Sequence, residues 1–97
     1  LTLGDIEIFP EQRRVMKAGV EICLNYGEFS ILYCMARRPG HVFSREQLYN
    51  AAWGEDYELG TNTVDNTIWR LRNKLEPDPK HPTYIKTVFR VGYKIEK

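Results

Sequence analysis

The sequence predicts an α+β chain: a run of short antiparallel strands, then three helices, then a closing β-hairpin. Three observations lead there. Near the start, Ile6 and Ile8 flank Glu7, and Val20, Ile22 and Leu24 alternate with Glu21 and Cys23, the period of two that marks half-buried strands. Two capping signals, Asn25-x-x-Glu28 and Ser44-x-x-Gln47, open helices by satisfying orphan backbone donors reciprocally. Residues 84–88 and 91–95 are two apolar-rich runs about a tight bend, which read as a hairpin. At 97 residues, the chain makes one domain, residues 1–97, around one small core.

In order along the chain, three or four short strands fit the first 24 residues, with turns at Pro10 and Gly19 around a middle piece at 13–17. By the same alternation Cys23 falls on the outward face. In the first helix Phe29, Ile31, Leu32, Cys34, Met35 and Ala36 put apolar groups nearly all round, as a central, buried helix requires. Arg37 and Arg38 suit its C-terminal end, where cations meet the negative pole of the dipole, and Pro39-Gly40 stops it. His41-Val42-Phe43 is one extended piece. The second helix starts at Ser44, runs through Leu48 and Tyr49 to Trp53, and ends at Gly54. Residues 55–61 make an acidic loop, and Thr61 or Asn62 caps the third helix. Beyond Leu75, Pro77, Pro79 and Pro82 exclude helix, because each removes a donor and fixes φ.

The third helix, residues 62–75, carries the chemistry. At about 100° per residue, Val64, Ile68, Leu71 and Leu75 share a narrow arc, while Asn66, Trp69, Arg70 and Asn73 lie opposite, flanked by Arg72 and Lys74. Asn and Arg pair bidentately with adenine and guanine edges in the major groove. An ordinary solvated face would interleave Glu and Lys, and here the one acid is Asp65. Charge is distributed to match. Residues 1–63 hold six Lys/Arg against nine Asp/Glu, a balance of −3, and residues 64–97 hold eight against four, a balance of +4. Two capped helices joined by a long turn and followed by a hairpin make a helix-turn-helix with a wing. That arrangement docks its second unit helix in a major groove and lays the hairpin on the backbone or minor groove.

Other classes find little support. Cys23 and Cys34 form no disulfide framework, and His41 and His81 complete no zinc spacing, so free thiols in a reducing, cytoplasmic compartment are expected, with no metal and no cofactor. No run approaches the roughly 20 apolar residues of a membrane span, and no signal peptide is present. Neither Cys/His nor Ser/His/Asp spacing nor a phosphate-cradling glycine loop suggests an enzyme. The first residue is Leu1 rather than Met, as expected of a piece of a longer chain.

Several motifs then occur in order: Leu24-Asn25-x-x-Glu28-Phe29-x-x-Leu32, Ser44-Arg45-Glu46-Gln47-Leu48, Trp53-Gly54, Thr63-Val64-Asp65, Leu71-Arg72-x-Lys74-Leu75, and Tyr84-Ile85-x-Thr87-Val88-x-x-Val91-Gly92-Tyr93. Together they resemble the OmpR/PhoB-type winged-helix output domain of bacterial two-component response regulators. The resemblance implies an N-terminal four-stranded antiparallel sheet, three helices and a C-terminal wing, with a phosphorylatable receiver domain, addressed by a sensor kinase, on the N-terminal side. It implies sequence-specific binding to double-stranded DNA, with base contacts at Asn66 and Arg70 and phosphate contacts at Trp53, Asn62, Thr63, Thr67, Arg72 and Thr87. It also implies an isolated domain that is monomeric, pairing on direct repeats. Residues 55–61 match the loop through which activators of this family contact RNA polymerase. Thr63 reads equally as a cap, and the two roles are compatible at one helix end. Trp53 reads either as a phosphate contact or as an aromatic closing the second helix.

Two departures stand out. Relatives usually carry a basic or small polar residue at the position of Trp69. Their wing usually reads Thr-Val-Arg-Gly-x-Gly-Tyr, where this chain has Thr87-Val88-Phe89-Arg90-Val91-Gly92-Tyr93. Arg90 replaces a glycine suited to a tight bend, so a reshaped tip is expected, with Arg90 still reaching the groove. Phe89 is then a packing residue or an apolar wedge. An exposed Trp69 leaves a second reading open, that of a winged helix serving protein interaction.

Overall fold

Strand alternation and helix capping both act locally, and both are realised in the computed structural model, which describes residues 1–54, 60 and 62–96. Strands β1 (Thr2–Leu3), β2 (Ile6–Phe9), β3 (Arg14–Lys17) and β4 (Val20–Ile22) pair antiparallel in the order β1-β2-β3-β4. Ile8 lies opposite Val15, which lies opposite Ile22, so one face carries the apolar side chains. Leu3, Ile6, Ile8 and Val15 are fully buried. Val20 departs from expectation: it is 64% exposed. It begins the edge strand opposite Lys17, at a rim that no core residue covers. Cys23 is exposed as expected, and both cysteines are free.

Helix α1 (Tyr26–Ala36) starts from a complete Asn25–Glu28 capping box, and α2 (Arg45–Trp53) from a complete Ser44–Gln47 box. The acidic loop at 55–61 lies outside the described residues except for the exposed Gly60. Helix α3 (Asn62–Leu75) includes Asn62 in its first turn. The alternative cap, Thr61, also lies outside the described residues. Strands β6 (Ile85–Val88) and β7 (Gly92–Ile95) form the C-terminal hairpin, and a two-residue β5 (Phe43–Ser44) pairs with β7. That pairing needs Gly92, because any Cβ there would collide with the Phe43 carbonyl.

Helix α1 packs against α2, α3 and β7, and its Phe29, Ile31, Leu32 and Met35 are all buried. Val64, Ile68, Leu71 and Leu75 of α3 are no more than 1% exposed. Each such side chain contributes about 1.5–3 kcal/mol when buried. Together they outweigh any single polar contact that would turn another face of α3 inward.

Two buried carboxylates then fix what α3 touches. Glu28 is 1% exposed. Its Oε1 accepts from the Asn25 N–H at 3.0 Å and from Lys74 Nζ at 2.6 Å, while Oε2 accepts from Arg70 Nε at 3.2 Å. Glu76, just beyond α3, is 5% exposed. It accepts the backbone N–H groups of Thr83, Tyr84 and Ile85, closing the proline-rich segment and starting β6. On the other side of α3, Asp65 accepts from Arg45 Nε at 2.7 Å and from the Tyr93 hydroxyl at 2.6 Å. Arg72 donates to the Ile85 carbonyl and to Thr87 Oγ1. Both arginines lie over the Tyr93 ring, 5.6 Å from its centroid. The hairpin is therefore tied to α3 at three points.

Two outcomes follow from the carboxylates. Glu76→Ala strands backbone donors at the start of β6 and should lower unfolding free energy by about 1–3 kcal/mol; urea denaturation checks this, and an unchanged midpoint contradicts it. For Glu28, burial pushes the carboxyl up, but Lys74, the Asn25 N–H and Arg70 outweigh burial and hold it below the ordinary carboxylate range. The unfolded chain therefore takes up the proton more readily. The contribution of Glu28 is complete above the ordinary carboxylate value and is lost as pH falls through the lower folded-state value. Denaturation from about pH 6 down to about pH 2 should show the stability gap between the unaltered chain and Glu28→Gln closing on acidification. A gap independent of pH contradicts the assignment.

Candidate nucleic-acid interface

With the apolar stripe of α3 held inward, its opposite face is presented to solvent. Asn66, Trp69, Arg70 and Asn73 are all exposed, Trp69 by 52%. Asn73 turns its amide back to the Trp69 carbonyl at 2.8 Å, whereas Arg70 reaches across to side chains beyond its own helix backbone. The Arg70 side chain is 48% exposed while Glu28 holds its Nε, and a further bond runs from Nη2 to Thr67 Oγ1 at 3.4 Å. The guanidinium is thus restrained along one edge and open along the other.

The flanking cations diverge. Arg72 turns to the hairpin and Lys74 to Glu28 and the Cys23 carbonyl. Thr87 is exposed and stands within 2.7 Å of Arg72 Nη2, so these two predicted phosphate ligands are brought together. Asn62 is exposed at the start of α3, and Thr63 is half-buried in the same turn, its N–H donating to the Gly60 carbonyl. Thr67 requires a correction. It is 1% exposed, and its hydroxyl donates to the Thr63 carbonyl at 2.7 Å. It borders the apolar stripe, and its hydroxyl is turned to the backbone of α3 rather than to solvent.

Trp53 is half-buried against Gly27, where a Cβ would collide with the indole, and tilts against Tyr49 at 5.4 Å between centroids. Its packing role is present in the fold. At the hairpin tip, the Val91 N–H closes a turn on the Val88 carbonyl at 2.9 Å. Arg90 occupies the third position with φ +64°, the left-handed region that favours glycine. The reshaped tip presents Phe89, 80% exposed, with the Arg90 guanidinium 5.2 Å from its ring centroid.

Sequence reading assigned Glu28 only to a cap and left Asp65 and Tyr93 without partners. One signal was available: Arg70 and Lys74 are four apart, so both cations share a helix face, a mildly repulsive pairing that an acid facing it relieves. Among the described residues, no group of His, Cys, Asp and Glu is placed to hold a metal, and no helix is long and apolar enough to cross a membrane.

Comparison with known proteins agrees with this geometry. Residues 19–95 match the family model described as "Transcriptional regulatory protein, C terminal". The response regulator DrrB of Thermotoga maritima, an OmpR/PhoB homologue, is 35% identical with a TM-score of 0.92, covering 100% of this chain. The chain spans only 44% of DrrB. The DNA-binding domain of RstA from Klebsiella pneumoniae, solved in complex with the RstA box, is 32% identical with a TM-score of 0.87, covering 99% of this chain and 95% of that one. The DNA-binding domain of the response regulator AdeR, solved with an intercistronic region, is 27% identical with a TM-score of 0.83, covering 100% and 99%. Family model, fold and exposed helix face converge: the chain belongs to the C-terminal domains of transcriptional regulatory proteins, the winged-helix DNA-binding domains of OmpR/PhoB-type response regulators.

Proposed function

We propose that this domain binds double-stranded DNA sequence-specifically, with α3 in the major groove and the β6–β7 wing on the adjacent minor groove or backbone. The observation that carries the reading is the exposed Asn66–Arg70 face, set opposite a fully buried stripe and beside a hairpin clamped to the same helix. Asn66 and Arg70 read base edges. Asn62 and Thr63 offer neutral donors at the N-terminus of α3, where the dipole favours a phosphate, and Trp53, Arg72 and Thr87 grip the backbone. Arg90 reaches the minor groove from the wing tip.

The RstA and AdeR domains solved on DNA support this reading by likeness. We further propose that the domain serves as the output half of a two-component regulator. A receiver domain on its N-terminal side answers a sensor kinase in the cytoplasm. The output domain alone is monomeric, pairs on direct repeats, and touches RNA polymerase through residues 55–61. The 52% exposed Trp69 favours one rival, a face for a protein partner. Binding across a salt series separates the two, because steep salt dependence belongs to phosphate neutralisation.

Two substitutions divide readout from grip. Arg70→Ala should cost about 1–3 kcal/mol at the preferred duplex and relax base preference there; equal losses on preferred and random duplex contradict base readout. Arg72→Ala should weaken every duplex alike and flatten the salt slope by about one unit. An unchanged slope assigns Arg72 to clamping the hairpin alone.

A further inference from the structure

We infer that Glu28, on a helix that does not enter the groove, is a positioning residue for base reading: its buried carboxylate holds Arg70 by the Nε edge and leaves Nη1 and the second N–H of Nη2 as a preformed fork. The inference rests on the proposed role of Arg70. A guanine edge is read by two parallel N–H donors from one guanidinium. An unrestrained arginine on a helix surface must lose much rotamer freedom to present them. Here the Nε–H donates to Glu28 Oε2 at 3.2 Å, and Nη2 lies 3.4 Å from Thr67 Oγ1. Both tethers fall on the inner side of a side chain that remains 48% exposed.

The anchor itself cannot swing. Glu28 is 1% exposed, its N–H donates to Asn25 Oδ1 at 2.8 Å, and its carboxylate accepts the Asn25 N–H in return. Lys74 takes the shorter ion pair, at 2.6 Å against 3.2 Å for Arg70. One carboxylate between two cations leaves surplus positive charge, and the longer bond leaves it on Arg70. The buried Thr67 hydroxyl thereby gains a role: it is the second tether on the guanidinium. The opposite arrangement, in which Glu28 sequesters Arg70 until DNA pulls it free, would require the contact to break on binding.

The test uses the duplex recovered by selection from random sequences, and the same duplex with the Arg70-dependent base pair replaced. Fluorescence anisotropy compares the unaltered chain, Glu28→Gln, Arg70→Ala and the double variant. Gln retains the capping acceptor and removes the charge. Glu28→Gln should lower discrimination between the two duplexes by about three- to tenfold, within the worth of one bidentate base contact, without weakening binding to random duplex. In the Arg70→Ala background it should change discrimination no further. Discrimination that is unchanged or improved in Glu28→Gln overturns the inference while leaving base reading by Arg70 standing. Discrimination already unaffected by Arg70→Ala overturns the underlying reading first. A measurement on the unaltered chain removes dependence on the variant's stability: the Arg70 Nε–H resonance should stay protected and bonded to Glu28 when the selected duplex is added. Its release on binding overturns the positioning role.

Discussion

The burial of one narrow stripe, Val64, Ile68, Leu71 and Leu75, determines which face of α3 this domain presents to its surroundings. A 14-residue helix packed by that stripe against α1 and α2 has no rotational freedom left. Asn66, Trp69, Arg70 and Asn73 face outward because their neighbours at helical spacing face inward. The core supplies the orientation, and the polar contacts supply the finer setting.

That finer setting comes from three acids on different sides of α3. Asp65 ties its first half to Tyr93 and Arg45, Glu28 ties Arg70 and Lys74 to the start of α1, and Glu76 ties its end to the start of β6. Helix and hairpin thus behave as one unit, with Tyr93 between two arginines. Several residues by which the chain resembles its family turn out to touch one another: Asp65 with Tyr93, Arg72 with Thr87, and Glu28 with Lys74. Those residues hold α3 and the hairpin in place, and the residues that differ, Trp69, Phe89 and Arg90, are exposed on them.

What was legible in the sequence was what depends on near neighbours. Both capping boxes, the strand alternation of β2, the all-round apolar α1 and the stripe of α3 follow from spacing alone, and each appears in the fold. The strain at Arg90 was legible too, because a glycine position filled by another residue announces it. The misreadings have distant causes. Val20 keeps the alternation but sits at a rim, and only the sheet order shows that. Thr67 borders the stripe, and what the rest of the fold packs against that border decides its burial. Other contacts were not misread but unassigned: Arg72 and Lys74 are long side chains whose acceptors, the Ile85 carbonyl and Glu28, lie 13 and 46 residues away in sequence. No local pattern carries those directions.

A chain of modest net charge, +1, can still act on DNA when a few cations, here Arg70, Arg72 and Arg90 among them, sit on one helix and one hairpin whose relative placement is fixed in advance. The most direct test of that account is an amide and side-chain NMR titration of the domain with its selected duplex. The account predicts that the largest perturbations fall on residues 62–73 and on the tip at 89–91, with the β1–β4 sheet unmoved. Perturbations confined to that sheet, or spread evenly over the chain, would contradict it.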